Sequence, residues 1–315
     1  MSQQTAPTPD EVQNAVESSG YPLEIRVAHV FARRGYETTP SWVYPDPRTG
    51  DSREVDVAAW RTFELSSAGD SRQRSQLGLH VLVECKRSPA FVIYAARPAT
   101  VLTGAGRNPM ASSYFGEPGS LWTTQSPGGA ACGEDIVGRD GLGKTRWKWP
   151  DSVGSHFTFV QALRRQTDEK QTNRPQFKAG DDEFYHNRLL GLLKGIHEYG
   201  RLFLARPLPG GSFGVRPHFV VPILLVDADL YEYDVASSAP LRPIVRAALC
   251  RTYWGEFFGR FRVDIVREHD LPHYLDDLER DFGDIASQIA SEYHLWEHAE
   301  TLDANIRGQR EGNTG

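Results

Sequence analysis

HVLVECKRS, residues 80–88, decides how this chain is read. It opens as an apolar run that suits a buried strand, then sets Glu84 and Lys86 two residues apart. Side chains alternate along a strand, so His80, Leu82, Glu84 and Lys86 share one face while Val81, Val83 and Cys85 share the other. An acid and a base are therefore neighbours at the end of the most strand-like segment of the sequence.

Working outward, REVDVAAW (residues 53–60) alternates in the same way, with Val55, Val57 and Ala59 on one face and Glu54, Asp56 and Ala58 on the other. Asp46, Pro47, Thr49 and Gly50 supply turn chemistry between it and SWVYP, which predicts strand, turn, strand. Upstream, YPLEIRVAHVFARRGYE predicts a helix: Pro22 suits the first turn, Gly35 ends it, and Leu23, Val27, Val30 and Ile25, Ala28, Phe31 recur at three- to four-residue steps. Glu24 borders that apolar stripe. If the REVDV strand pairs beside the ECK strand and the helix lies over both, Glu24, Asp56, Glu84 and Lys86 converge. Three carboxylates in one place repel unless a divalent cation holds them, and oxygen-only ligands favour a hard ion such as Mg²⁺.

Composition sets the bounds. The chain has 315 residues with a hydrophobic share of 39% and an aromatic share of 11%, enough for a packed core. Its net charge of −6 argues against coating nucleic acid through overall charge, so phosphate binding would need a local basic patch. The 3 cysteines, Cys85, Cys132 and Cys250, are far apart and lack CxxC spacing, so neither a disulfide framework nor a cysteine zinc site is expected. A reducing, cytoplasmic setting fits this pattern. No apolar h-region opens the chain and no run of about 18 apolar residues occurs, so no membrane association is expected.

Along the rest of the chain, residues 1–19 read as a flexible tail with a short helix near residues 11–16. Residues 91–96 read as a further strand after a turn at Ser88 and Pro89. Residues 97–155 are dense in Gly, Pro, Ser and Thr and read as a long insertion. FTFVQALRRQTDEK and DEFYHNRLLGLLKGIHEYGRLFLAR are expected to be helical, and HFVVPILLVDADLYEYDV to be a strand pair around Asp227–Asp229. IVRAALCRTYWGEFFGRF reads as helix, RVDIV as extended, and the segment from Leu271 onward as a long acidic amphipathic helix. The expected organisation is a core over 20–240, a mainly helical C-terminal extension over 241–306, and a second flexible tail over 307–315.

Taken together, GYPLEIRVAHVFARRGYE, SREVDVAAW and LHVLVECKRS resemble the PD-(D/E)xK nuclease superfamily, in particular its bacterial members with a helix-borne Glu. The resemblance covers residues 20–96. It implies an α/β, restriction-endonuclease-like mixed sheet flanked by helices, and a metal-dependent nuclease acting on DNA with Mg²⁺ or Mn²⁺. It also implies that Asp56 and Glu84 bind the metal with the backbone carbonyl of Cys85, that Glu24 adds a carboxylate, and that Lys86 orients the attacking water and offsets transition-state charge. Pro45-Asp46 spells the same dipeptide, but in turn chemistry; the strand position selects Asp56. Gln161 matches the glutamine that some members carry on the following helix. A nuclease-like module that binds nucleic acid or protein without cleaving is the alternative, and the intact acid, acid, lysine set argues against it.

Two further strings fail on context. GRDGLGKT (residues 138–145) satisfies the P-loop pattern for a nucleotide hydrolase, but no buried strand leads into it and Pro150 follows soon after. HLWEH (residues 294–298) fits an inverted zinc-protease pattern without a downstream acidic ligand. Between residues 139 and 178, Arg139, Lys144, Arg146, Lys148, Arg164, Arg165, Lys170, Arg174 and Lys178 outnumber the acids, and Trp147 and Trp149 lie among them. That region is the candidate contact for nucleic acid. The acidic C-terminal helix suits a structural cover, or a contact with a protein partner or a second copy of the chain.

Overall fold

The computed structural model describes residues 6–46, 48–65, 75–95, 122–124, 130–131, 156–166, 176–179, 189–199, 217–234, 240–253 and 259–291. It is an α/β structure: a mixed, mostly antiparallel open sheet flanked by helices.

Helix α1 (Pro9–Ser18) begins at a reciprocal cap in which Thr8 accepts from the Glu11 N–H and Glu11 reaches back to the Thr8 N–H. Helix α2 (Tyr21–Arg33) follows, with Pro22 in its first turn as expected and Gly35 just beyond its end at φ +79°, a conformation that glycine adopts without strain. It buries Leu23, Val27, Ala28 and Phe31, whereas Ile25 stays exposed. Burying side chains of the size of Leu23 and Phe31 is worth about 2 kcal/mol each.

Strands β1 (Glu37–Pro45) and β2 (Ser52–Leu65) form the predicted hairpin. β2 then pairs antiparallel with β3 (Ser75–Ala95), which is one strand of 21 residues. The expected turn at Ser88 and Pro89 is instead a bulge. From Arg87 to Ala90, β3 advances three residues while its parallel partner β8 (Pro217–Asp234) advances two, from Asp227 to Asp229. Proline has no N–H to give to a ladder, so a bulge accommodates it where regular pairing would not. Beyond the bulge, β3 exchanges β2 for β6 (His156–Gln166).

Several segments differ from their sequence expectation. The FTFVQAL segment forms strand β6 rather than a helix, which puts Gln161 opposite Val92 in a sheet. Aromatic and β-branched residues crowd its start, and the second half of β3 offers its backbone a partner. HFVVPILLVDADLYEYDV is a single strand, β8, with no reversal at Asp227–Asp229. Those acids are met by cross-strand arginines instead, Arg87 to Asp227 and Arg267 to Asp229, each at 3.0 Å. Short strands β4 (Trp122–Thr124) and β5 (Ala130–Ala131) lie inside the stretch read as an insertion without regular structure. β7 (Gln176–Ala179) pairs with β6, and helix α3 (Leu190–Tyr199) lies within a predicted helical segment. IVRAALCRTY, read as helix, begins at the last residue of β9 (Arg242–Ile244) and supplies β10 (Arg246–Tyr253), and β11 (Gly259–Arg267) pairs back on β10. Among the described residues of the C-terminal region, three strands of the common sheet precede its helix. That helix, α4 (Leu271–Ser291), is the amphipathic one expected.

The sheet is buried on both faces. Toward α2 and α4 lie Val57, Ala59, Val81, Val83, Ile223 and Leu225, packed against Leu23, Phe31, Tyr274, Leu278 and Phe282. Toward α3 lie Val55, Ala58, Leu82, Leu224, Val226 and Ile265, packed against Leu192, Leu193, Ile196 and Tyr199. Central strands of this kind read as near-continuous apolar runs, which is how HVLV and VVPILLV look in the sequence. Among the described residues, no helix is long and apolar enough to cross a membrane.

Candidate metal centre

The centre forms where β2 leaves β3. The two strands pair from Leu65 with Ser75 to Val57 with Val83, and the ladder stops there. One residue further on stands Asp56. On the other side of β2, Pro40 and Trp42 pair with Val57 and Val55, which flank Asp56, and Ser41 between them adopts a left-handed conformation at φ 51°. A non-glycine residue in that region carries strain, and such residues cluster at functional sites. The distortion is visible in packing too: Val55 faces α3 while Val57 faces α2 and α4, although simple alternation puts both on one face.

With the ladder ended, the Cys85 N–H donates to Asp56 Oδ2 at 2.6 Å. The carboxylate stands in for the missing strand carbonyl and is held in one orientation by a backbone donor. Lys86 Nζ donates to the Cys85 carbonyl at 2.8 Å and to Asp56 Oδ2 at 3.4 Å, and forms an ion pair with Glu84 Oε1 at 2.6 Å. The side chains of Asp56, Glu84 and Lys86 are 15%, 9% and 17% exposed, so the charges meet in a poorly hydrated corner. The Cys85 side chain turns into the apolar layer beside Val81 and Val83, and burial there, with Asp56 nearby, pushes its thiol above the ordinary range. The Cys85 group that meets the Lys86 ammonium is the carbonyl, not the sulfur.

Glu24 comes to the same place from the first turn of α2. Oxygens of Glu24, Glu54 and Asp56 all lie within 4.8 Å of one another. Burial raises the pKa of Glu24, the charges of Asp56 and Glu54 raise it further, and Lys86 works the other way. All four expected residues, Glu24, Asp56, Glu84 and Lys86, thus belong to one constellation, with Glu84 joined to it through the Lys86 ammonium. Glu54 is the member that motif reasoning passed over. Its signal was nonetheless present: Glu54 and Asp56 are two residues apart in the alternating REVDV segment.

No family model, curated protein or solved structure matches the chain. What the site can do is therefore argued from its own atoms. The donor set consists of carboxylates and one peptide carbonyl, all hard oxygen ligands, and three of the carboxylates, Glu24, Glu54 and Asp56, place oxygens within 4.8 Å of one another. Mg²⁺ or Mn²⁺ fits that set, whereas the softer ions that prefer sulfur or imidazole do not.

Asp46, the competing aspartate of the Pro45-Asp46 dipeptide, has a different job. It is buried in the turn between β1 and β2, accepts from the backbone N–H groups of Arg48 and Thr49, and pairs with Lys194 of α3 at 2.8 Å and Arg53 at 3.2 Å. Burial pushes its carboxyl up, but the Lys194 and backbone bonds outweigh it and hold the pKa at about 2. This is a turn clamped to a helix, complete in its own hydrogen bonds.

The glycine-rich string at 138–145, the HLWEH string at 294–298, and Arg139, Lys144, Arg146, Lys148, Lys170 and Arg174 of the basic region lie outside the described residues. Arg164 and Arg165 are on β6 and Lys178 is on β7.

Proposed function

We propose that this chain is a divalent-metal-dependent nuclease that hydrolyses phosphodiester bonds of DNA, with the site geometry of the PD-(D/E)xK type. The observation that carries the reading is the convergence of Asp56, Glu84, the Cys85 carbonyl and Lys86 at the point where β2 and β3 part, with Glu24 above them. Chain segments from residue 24 to residue 86 contribute to it, so chance proximity in sequence does not account for the grouping.

In this reading Asp56, Glu84 and the Cys85 carbonyl hold Mg²⁺, with Glu24 and Glu54 completing the carboxylate side. The ion supplies Lewis-acid stabilisation of charge developing on the phosphoryl oxygens and a water of lowered pKa. The Cys85 N–H fixes the Asp56 carboxylate so that its oxygens need no reorganisation when the ion arrives. Lys86 brings a positive charge to the nucleophile's side, where it orients water and offsets the negative charge of the transition state. Glu24, its pKa already raised, can hold a proton more readily than an ordinary glutamate.

The test uses the purified full chain with supercoiled plasmid and with single-stranded DNA, in Mg²⁺ or Mn²⁺ and in chelator. Nicking or degradation that needs the metal is expected. Asp56→Ala and Lys86→Ala each lower the rate at least about a hundredfold, the usual cost of removing a charged group that acts on the transition state. Both variants keep the fold. Metal-dependent cleavage that survives both substitutions overturns the proposal.

A further inference from the structure

We infer that Lys86 is the cation that fills the metal's own oxygen set when no metal is bound, so that Mg²⁺ or Mn²⁺ must displace its ammonium to bind; the inference rests on the nuclease reading above. A lysine ammonium has three donors and no acceptor. Here it hydrogen-bonds the Cys85 carbonyl and Asp56 Oδ2 and forms an ion pair with Glu84 Oε1, and these are the atoms assigned to the metal.

Two cations cannot share this set. A Mg²⁺ ion sits about 2.1 Å from each of its ligand oxygens. An ion bound to the three oxygens that Nζ now contacts at 2.6–3.4 Å would meet the ammonium at roughly the same point in space. Like charges so placed, in a corner where the three side chains are 9–17% exposed, repel with little help from solvent screening. The lysine must leave the oxygens before the metal can take them. Its single long stem allows that movement without any change in the strands, because Glu84, Cys85 and Lys86 remain paired with Leu224, Leu225 and Val226 of β8.

Lys86 therefore sets the metal concentration at which the site fills. It keeps the acids neutralised in metal-free protein and releases them in exchange for a divalent ion. A lysine whose only task was to assist chemistry would leave metal affinity unchanged when removed, or lower it if it helped to assemble the site. The exchange has the opposite consequence: removing the competitor tightens binding.

The test is isothermal calorimetry of Mn²⁺ binding to the full chain in metal-free buffer, comparing wild type, Lys86→Met and Asp56→Asn, with thermal melts alongside. Lys86→Met is expected to bind Mn²⁺ at least about tenfold more tightly than wild type. It should also melt lower than wild type without metal and gain more from added Mn²⁺. Lys86→Gln, polar and also uncharged, carries the same expectation should the methionine variant not fold. Equal or weaker Mn²⁺ affinity in the folded lysine variant overturns the exchange while leaving the metal site standing. If wild type and variant both fail to bind Mn²⁺, or if Asp56→Asn binds as wild type does, the metal reading itself falls and the exchange with it.

Discussion

Asp46 and Asp56 are both aspartates near a hairpin, and replacing each by asparagine separates a fold-holding carboxylate from the one proposed to bind metal. In Asp46→Asn the amide oxygen still accepts from the Arg48 and Thr49 N–H groups, but the ion pairs with Lys194 and Arg53 are lost. The Asp46 side chain is fully buried and that of Lys194 only 11% exposed, so the variant strands an ammonium away from water. Removing one partner of a buried pair costs about 3–5 kcal/mol; Arg53 can return to solvent, which brings the expected loss to about 2–3 kcal/mol. At roughly 2 °C per kcal/mol for a large domain, the melting temperature falls by about 5 °C. The pH dependence gives a second handle. The Asp46 pKa is lowered from 3.8 to about 2, so the unfolded state binds more protons in that interval. The contribution of Asp46 is fully present above about pH 4 and is lost as pH falls toward 2, and the slope it adds is absent in the variant. Urea titrations at pH 7, 4 and 2.5 measure both quantities, and Mn²⁺ calorimetry on the same protein should show binding like that of wild type. An Asp46→Asn protein as stable as wild type at pH 7, or one that has lost Mn²⁺ binding while folded, refutes this assignment of roles.

Two other positions give independent checks. A methyl group at Gly195 of α3 would stand 2.7 Å from Val55 Cγ2 and 3.4 Å from Tyr44 Cε1, so Gly195→Ala should destabilise by about 1–3 kcal/mol despite alanine's better helix propensity. Because Val55 precedes Asp56, this variant should also weaken Mn²⁺ binding; a thermal melt and calorimetry that match wild type would show that α3 does not brace the site. On α4, burial raises the Asp281 pKa to about 6, against the pull of Arg280, with Asp277 and Asp284 adding to the rise. The stability this carboxyl allows is present below pH 4 and lost as pH rises through 6, so Asp281→Asn should be more stable than wild type at pH 8 by about 1 kcal/mol, after allowance for partial exposure. Urea melts at pH 4 and pH 8 check this: the gain should be absent at the lower pH, and an equal gain at both would point to a cause other than titration.

The convergence of Glu24, Asp56, Glu84 and Lys86 was more legible than the fold around it. Pro22, Gly35 and the three- to four-residue steps place Glu24 on α2, and the alternation of REVDV and HVLVECK places Asp56, Glu84 and Lys86, because both patterns are local. The errors share one cause. FTFVQAL and IVRAALCRTY carry spacing that suits a helix, yet each forms a strand because strands outside the segment offer backbone partners: β3 for β6, and the distant β6 and the following β11 for β10. Asp227–Asp229 reads as a turn because two acids in a strand look unpaired until Arg87 and Arg267 are seen beside them. Glu54 was passed over since no motif spacing includes it.

What local pattern settled is that Glu84 and Lys86 share a face and that Cys85 turns inward, since the pleat of a strand leaves little choice. Tertiary structure alone decided that β2 parts from β3 at Asp56, that the Cys85 N–H turns to its carboxylate, and that the Lys86 ammonium lies among three oxygens. Those facts depend on where a ladder ends and on which oxygens from distant segments come within reach of one another. No periodicity in a single segment carries that information.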